Sequence, residues 1–322
     1  VPSYRVLGGA LQSELDFPEL PPAAPDQAGR WTLSVGAGAP PPGGGEPLGA
    51  DAVRDVGEVT LARTAVGYRL AYPDTGVYDI THGGSRITWY PPAERRYPPD
   101  RFAEAVRIDV LGRVLAVAMH AAGTEALHSS AVLPNDRGTI AFVAPKFHGK
   151  STLASALVAR GARLVTDDTL PVLAGARPRA APGVHSVRVH RDSAHQLAAA
   201  LPGLAMGPWG KLQSSRLPPE RLVTDATPLA AIYVLAPQRA TAGAPATITR
   251  QQLVATVAAV SLVAHAKLGP LLGKTSAPGL LAWGVRLASA VPVYRLVFPR
   301  DFTRLPDVVD QLLAWHGAVT PT

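Results

Sequence analysis

Apolar and polar residues alternate in short runs through the first hundred positions: Tyr4 to Leu11, Trp31 to Val35, Val66 to Tyr72, Val77 to Ile80 and Ser85 to Tyr90. A period of two marks strands with one buried face, and turn residues such as Gly83-Gly84 separate the runs, so this stretch predicts a mainly β module. From Asp100 the period changes. Phe102, Val106, Val110, Val114, Val117 and Met119 recur at helical spacing as far as Gly123, with Asp100 as the expected N-cap after Pro98-Pro99. Gly138 to Ala144 then reads as an apolar strand, Lys150 to Arg160 as an Ala- and Leu-rich helix closed by Gly161, and Arg163 to Thr166 as a second strand that runs into Asp167-Asp168. Strand, loop, helix, strand is a βαβ-like unit. Further on, a strand (Ala230 to Leu235), a helix (Gln251 to Leu268), a strand (Val293 to Phe298) and a final helix with Pro306 in its first turn and Gly317 past its end continue the alternation. The pattern predicts a mainly β module over residues 1–110 and an α/β core over 111–322. The run from Ala37 to Gly45 and the stretch from Pro178 to Pro219 are broken by Pro and Gly, and the first of these reads as an exposed loop.

Length and composition narrow the class. The chain has 322 residues, 47% of them hydrophobic, enough to fill a sizeable core. It contains no cysteine, which excludes a disulfide framework, a thiolate metal site and a cysteine nucleophile. The start, Val1 to Gly9, has no basic and apolar signal pattern. The longest charge-free apolar stretch, Leu253 to Ala266, is too short to span a bilayer and contains His265, so a cytoplasmic protein without a membrane partner is expected. The formal charge is +7 and the pI about 9.9. The basic residues are scattered and not interleaved with aromatics, which argues against nucleic acid; a small anionic ligand such as a nucleotide suits the charge. Association as a homo-oligomer stays open.

The candidate chemistry lies in Ala144-Pro145-Lys146-Phe147-His148-Gly149-Lys150-Ser151, followed by Thr152. A phosphate-binding loop needs inward N–H groups at the start of a helix, a glycine where the chain passes closest to the phosphates, a lysine for the β and γ groups and a hydroxyl for magnesium. Gly149, Lys150 and Ser151 meet the last three demands. The usual pattern opens with Gly where this chain has Ala144, and Phe147-His148 stands where small residues are normal. His148 can lend an imidazole to phosphate or narrow the loop. Asp167 and Asp168 fall at the carboxyl end of the next strand, where two adjacent carboxylates repel and a divalent cation relieves the repulsion. A turn with an Asp cap before Pro171 is the competing reading, and one aspartate can serve each role.

These segments resemble the HPr kinase-like family, in particular its stand-alone relatives beside peptide natural-product genes, such as the lasso-peptide kinases. The residues that carry the resemblance are Leu127-His128-Ser129-Ser130-Ala131-Val132, then Gly149-Lys150-Ser151-Thr152-Leu153-Ala154, then Gly161-Ala162-Arg163-Leu164-Val165-Thr166-Asp167-Asp168. Tyr4 to Leu20, Val187 to Ser193, Pro228 to Leu235 and Val291 to Pro306 look like further family segments. The resemblance implies an α/β fold with a phosphoenolpyruvate-carboxykinase-like P-loop kinase core behind the N-terminal β module, and ATP and magnesium as cofactors.

Carried over residue by residue, it implies that Lys150 and the loop from Lys146 to Thr152 bind the nucleotide, that Ser151 and Asp167 hold magnesium with Asp192 as a further acidic ligand, and that Asp168 accepts the acceptor's proton with His128 beside it. Asp192 before Ser193 also makes a good helix N-cap. The division of labour between the two aspartates is open at this level. Lys211 and Arg216 can close over the phosphates or remain solvated.

The activity so implied is an ATP-dependent kinase acting on a Ser or Thr hydroxyl of a peptide or small metabolite in natural-product biosynthesis, with catalysis by positioning and charge neutralisation. Two alternatives share the site: a catalytically inactive nucleotide-binding partner protein, and an antibiotic-modifying small-molecule phosphotransferase.

Overall fold

The alternating runs at the start of the chain form an eight-stranded sheet in the computed structural model, which describes residues 1–25, 27, 29–42, 45–54, 56–189, 205–206, 212–214, 217–238 and 247–317. The strands are β1 (Ser3–Val6), β2 (Gly9–Ser13), β3 (Gly29–Val35), β4 (Glu46–Val53), β5 (Gly57–Thr64), β6 (Gly67–Tyr72), β7 (Gly76–Thr81) and β8 (Arg86–Tyr90). Their order is β1-β2-β3-β8-β7-β6-β5-β4. β4 to β8 make an antiparallel meander, while β3 lies parallel to both β2 and β8. Trp31, Leu33, Leu61, Leu70, Tyr78, Ile80, Ile87 and Trp89 are buried on one face, and Thr32 and Arg86 are exposed between them, the alternation of a sheet packed on one side.

Two features of this sheet depart from the pattern reading. The single run expected from Tyr4 to Leu11 is a hairpin that turns at Leu7 and Gly8 and pairs Tyr4 with Leu11. β4 and β5 were not expected; Pro47, Gly49 and Asp51 make β4 a poor strand by composition, and pairing with β5, which alternates buried Val59 and Leu61 with exposed residues, imposes the extended chain there.

Helical structure follows as α1 (Pro99–Asp109), a π-helical segment (Val110–Val114) and α2 (Leu115–Ala121). Asp100 was expected as the N-cap; instead the cap is Pro98, Pro99 opens the helix, and Asp100 sits in the first turn. Asp109, at the end of α1, belongs to a buried ionic network. The guanidinium of Arg54, in the turn after β4, donates to both Asp74 oxygens at 2.7 Å and to the two Asp109 oxygens at 2.5 and 2.7 Å. Thr75 Oγ1 donates to Asp109 (2.7 Å) and the Tyr97 hydroxyl to Asp74 (2.9 Å). Side-chain exposure is 7% for Arg54, 0% for Asp74 and 2% for Asp109, so the three charges are held out of water and compensate one another, with these hydroxyls as further donors. Burial pushes the Asp109 carboxyl up to about 6 against the pull of Arg54.

The chain divides into two compact units, Val1–Ala126 with Ala266–Leu280, and Leu127–His265 with Leu281–Thr322. The second unit is built on another eight-stranded sheet: β9 (Ala126–Leu133), β10 (Thr139–Val143), β11 (Arg163–Thr166), β12 (Thr169–Leu173), β13 (Arg179–Ala180), β17 (Thr227–Gln238), β18 (Thr249–Gln252) and β19 (Val293–Pro299). Three short strands, β14 (Val187–Val189), β15 (Ala205–Met206) and β16 (Leu212–Ser214), pair separately. β10, β17 and β19 are parallel neighbours, and every residue of β10 is buried, as befits a strand covered on both faces.

Helix α3 (Lys150–Ala159) and the last helix, α6 (Leu305–Trp315), cover one face; Leu153, Leu157, Leu312 and Leu313 pack with Phe142, Tyr233 and Leu296. Pro306 and Gly317 sit at the start and end of α6 as expected. The helix expected from Gln251 to Leu268 is shorter. Thr249–Gln252 pairs with β19 as β18, and α4 spans Ala255–Ala264. A further helical stretch, α5 (Gly269–Ala290), broken at Gly273, was not expected from the Gly- and Pro-containing sequence. The molecule is thus a mixed α/β protein with two large sheets.

Candidate phosphate-binding and acid site

β9 determines where the candidate residues meet. It runs antiparallel to β10 on one side and to β11 on the other, so β10 and β11 point the same way and end at the same edge of the sheet. The loop 144–149 leaves the end of β10, and Asp167-Asp168 leaves the end of β11. Between them lies the start of β9, where Ser129 pairs with Val143 and Ser130 with Phe142. Sequence positions about twenty apart are joined through one intervening strand.

The loop turns into α3 at Gly149, whose φ of 89° is left-handed and favours glycine. The N–H of Leu153 donates to the Gly149 carbonyl at 2.9 Å, which starts the helix ladder. N–H groups in a first helical turn have no acceptor four residues back, and the helix dipole is positive there, so an anion is favoured at Lys150, Ser151 and Thr152. Lys150 is 9% exposed, and its ammonium donates to the carbonyls of Ala144 (2.7 Å) and Pro145 (3.3 Å). Lys146 and Phe147 are exposed. His148 Nδ1 lies 2.9 Å from the Lys146 carbonyl, which pins the ring to its own loop.

The two aspartates occupy different surroundings. Asp167 is buried, and Ser130 Oγ, itself fully buried, donates to its Oδ1 at 2.6 Å. Asp168 is 42% exposed at its side chain. Its Oδ1 is 3.2 Å from His128 Nδ1, its Oδ2 accepts from Thr169 Oγ1 at 3.0 Å, and its carbonyl accepts from Ser129 N–H at 3.2 Å. A strand alternates its side chains, so His128 and Ser130 share one face of β9 and hold one carboxylate each. Among the described residues no group of three or more His, Asp or Glu is placed to hold a metal ion. Asp167 and the Ser151 hydroxyl are hard oxygen donors of the kind magnesium takes one or two of when phosphates supply the rest, so the residues fit that ion. Asp192, like Lys211 and Arg216, lies outside the described residues.

Three contributors escaped the sequence reading. Ser130 is the first; its role depends on a partner 37 positions away. The second is Gly183, whose N–H donates to the Val165 carbonyl at 2.9 Å. A Cβ at position 183 would come within 2.1 Å of Thr166 Oγ1, so only glycine lets this segment press against the residue before Asp167. His265, the C-cap of α4, is the third. Its carbonyl accepts from His128 N–H at 2.8 Å, and burial, helped by the positive charge of Lys150, lowers its pKa to about 4. It is a neutral imidazole at neutral pH. The available signal was a histidine closing a helix with no other ionisable group.

No family model matches the chain, and no curated protein matches it. Among solved structures it is similar to the HPr(Ser) kinase/phosphatase from Coxiella burnetii, at 14% identity over 60% of this chain and 90% of that one, with a TM-score of 0.33. No residue's role follows from a likeness of that extent.

Proposed function

We propose that the chain is an ATP-dependent kinase that transfers the γ-phosphoryl group to a Ser or Thr hydroxyl of a peptide or small metabolite, in the setting of natural-product biosynthesis. One observation carries this reading: a lysine-bearing loop at a helix start and a pair of carboxylates, one buried and one open, follow two strands that flank β9 and end at the same edge of one sheet. The resemblance of the three motifs to HPr kinase-like proteins supports it.

Phosphoryl transfer needs positioning and charge neutralisation more than covalent chemistry by the protein. Lys150 and the first N–H groups of α3 bind the β and γ phosphates. Asp167, fixed by Ser130, and Ser151 would hold magnesium, which neutralises phosphate charge when bound. The acceptor oxygen bonds to the γ phosphorus as the bond to the β–γ bridging oxygen breaks, and ADP leaves. Asp168 accepts the proton released from the acceptor hydroxyl; its exposure leaves it within reach of an incoming hydroxyl, and His128 orients it. A second reading, a nucleotide-binding partner without transfer, is favoured by Ala144 and Phe147, where the loop departs from the usual glycine-rich form; turnover separates the two.

Differential scanning fluorimetry tests the binding step. Magnesium ATP at about a hundred times its dissociation constant should stabilise the fold by about 2.7 kcal/mol and raise Tm accordingly. Lys150→Ala should remove this shift while the unliganded protein still folds, with a Tm lowered only by the loss of the ammonium's bonds to the Ala144 and Pro145 carbonyls. The phosphate-loop reading fails if wild-type protein shows no shift at millimolar nucleotide.

The close approach of Gly183 gives an independent check on the acid pair. Gly183→Ala must displace the turn that carries Asp167 and Asp168, and a displacement near 1 Å costs about a hundredfold in rate. Transfer should fall by about that factor in single-turnover kinetics. An unchanged rate in a folded variant would show that the turn's position is unimportant.

A further inference from the structure

Asp109 ends α1, and Val110 after it opens the π-helical segment, so the helix changes its winding where this carboxylate is held. π turns inside α-helices are uncommon and frequently sit at functional positions. Phosphoryl transfer gives Asp109 no task. The charged and titratable groups around it come from several elements: Arg54 from the turn after β4, Tyr72 from β6, Asp74 from the turn before β7, Tyr78 from β7 and Arg113 from the π-helical segment. Thr75 Oγ1 donates to Asp109, Arg113 bonds to Asp51 of β4, and the Tyr97 hydroxyl donates to Asp74.

The two carboxylates share a donor. Arg54 Nη2 donates to Asp74 Oδ1 and to Asp109 Oδ2, each at 2.7 Å. Bonded to one nitrogen they lie close together, and with side chains 0% and 2% exposed neither is screened by water. Like charges so placed resist joint ionisation, and the pair binds one proton more tightly than two exposed aspartates would. Asp74 keeps its charge: burial works against it, but Arg54 and Tyr97 hold it below the usual carboxylate range. Burial pushes Asp109 the other way, up to about 6. We propose that Arg54, Asp74 and Asp109 form a proton-linked latch: in mild acid the carboxylate pair takes up one proton, and this proton tightens the hold of α1 and the π-helical turn on the first sheet.

A carboxyl that binds its proton more tightly in the folded than in the unfolded chain adds stability in acid and loses it as pH rises, here through about pH 6. At about pH 5 the gain over about pH 8 is roughly tenfold in the opening equilibrium. Hydrogen exchange of the amides of α1 and α2 in wild type and Asp109→Asn, compared at the same pH so that intrinsic exchange rates cancel, tests this. From the higher pH to the lower, wild-type protection should grow about tenfold more than that of the variant, whose amide takes up no proton. Parallel changes overturn the proposal, as does a larger gain in the variant. Should Asp109→Asn not fold, carboxyl NMR of wild type and Thr75→Val decides. One aspartate should titrate near pH 6 in wild type and higher in Thr75→Val, which has lost a donor to the carboxylate. The latch is ruled out if no aspartate titrates there, or if Thr75→Val leaves that titration where it was.

Discussion

Asp168→Asn is expected to lower phosphoryl transfer by roughly two to four orders of magnitude, the usual reach of general-base catalysis, while magnesium nucleotide binds nearly as before. The amide keeps the size of the side chain and can still accept from Thr169 Oγ1, so the loss is one of charge and basicity. Asp167→Asn should behave differently. That carboxylate is buried and accepts from Ser130, and its neutralisation should weaken magnesium-dependent nucleotide binding as well as turnover. Single-turnover rates and nucleotide affinities measured on both variants separate the roles. Exchanged effects mean exchanged roles. If wild type transfers nothing to any candidate acceptor and both variants bind nucleotide as wild type does, the aspartates are a capped turn and the kinase proposal is wrong.

The largest stability effect is expected far from this chemistry in the sequence. Arg54→Ala leaves the carboxylates of Asp74 and Asp109 buried without their cation, and breaking a buried pair on one side costs about 3–5 kcal/mol. The control is Arg304→Ala. Arg304 pairs with Asp307 at 2.8 Å, but both side chains are about half exposed, and such a pair contributes about 0–1 kcal/mol. Urea unfolding of the two variants should therefore differ by several kcal/mol. Similar midpoints would mean that the Arg54 network is not a structural keystone of the first sheet.

What the sequence made legible was local. Thr139–Val143, Lys150–Ala159 and Arg163–Thr166 form a strand, a helix and a strand because an apolar run, a Gly-Lys-Ser helix start and an Asp-Asp pair past a strand end carry their signals within a few residues. Pro306 and Gly317 marked α6 by the same kind of local signal. The parts that were not legible depend on distant partners. β4 reads poorly from its own composition and is extended because β5 lies beside it. Thr249–Gln252 carries no strand signal that outweighs the apolar helix after it, yet β19 pairs with it. In the site, Lys150, Ser151, Asp167 and Asp168 stood out by type and spacing, whereas Ser130, Gly183 and His265 acquire meaning only through residues brought to them by the sheet and the loops around it.

The placement of β9 between the loop strand and the acid strand also limits how such a site can change over generations. Its side chains alternate, so a one-residue slip along β9 would carry His128 and Ser130 to the opposite face and bring Ser129 round in their place. The spacing between phosphate loop and acids therefore cannot drift by small increments. Lengthening the turn between Leu133 and Thr139 leaves the register untouched, while a single residue inserted between Leu127 and Ala131 exchanges the faces at once. The turn between Leu133 and Thr139 can therefore vary in length without moving the site, whereas β9 itself must keep its register for His128 and Ser130 to face the two carboxylates.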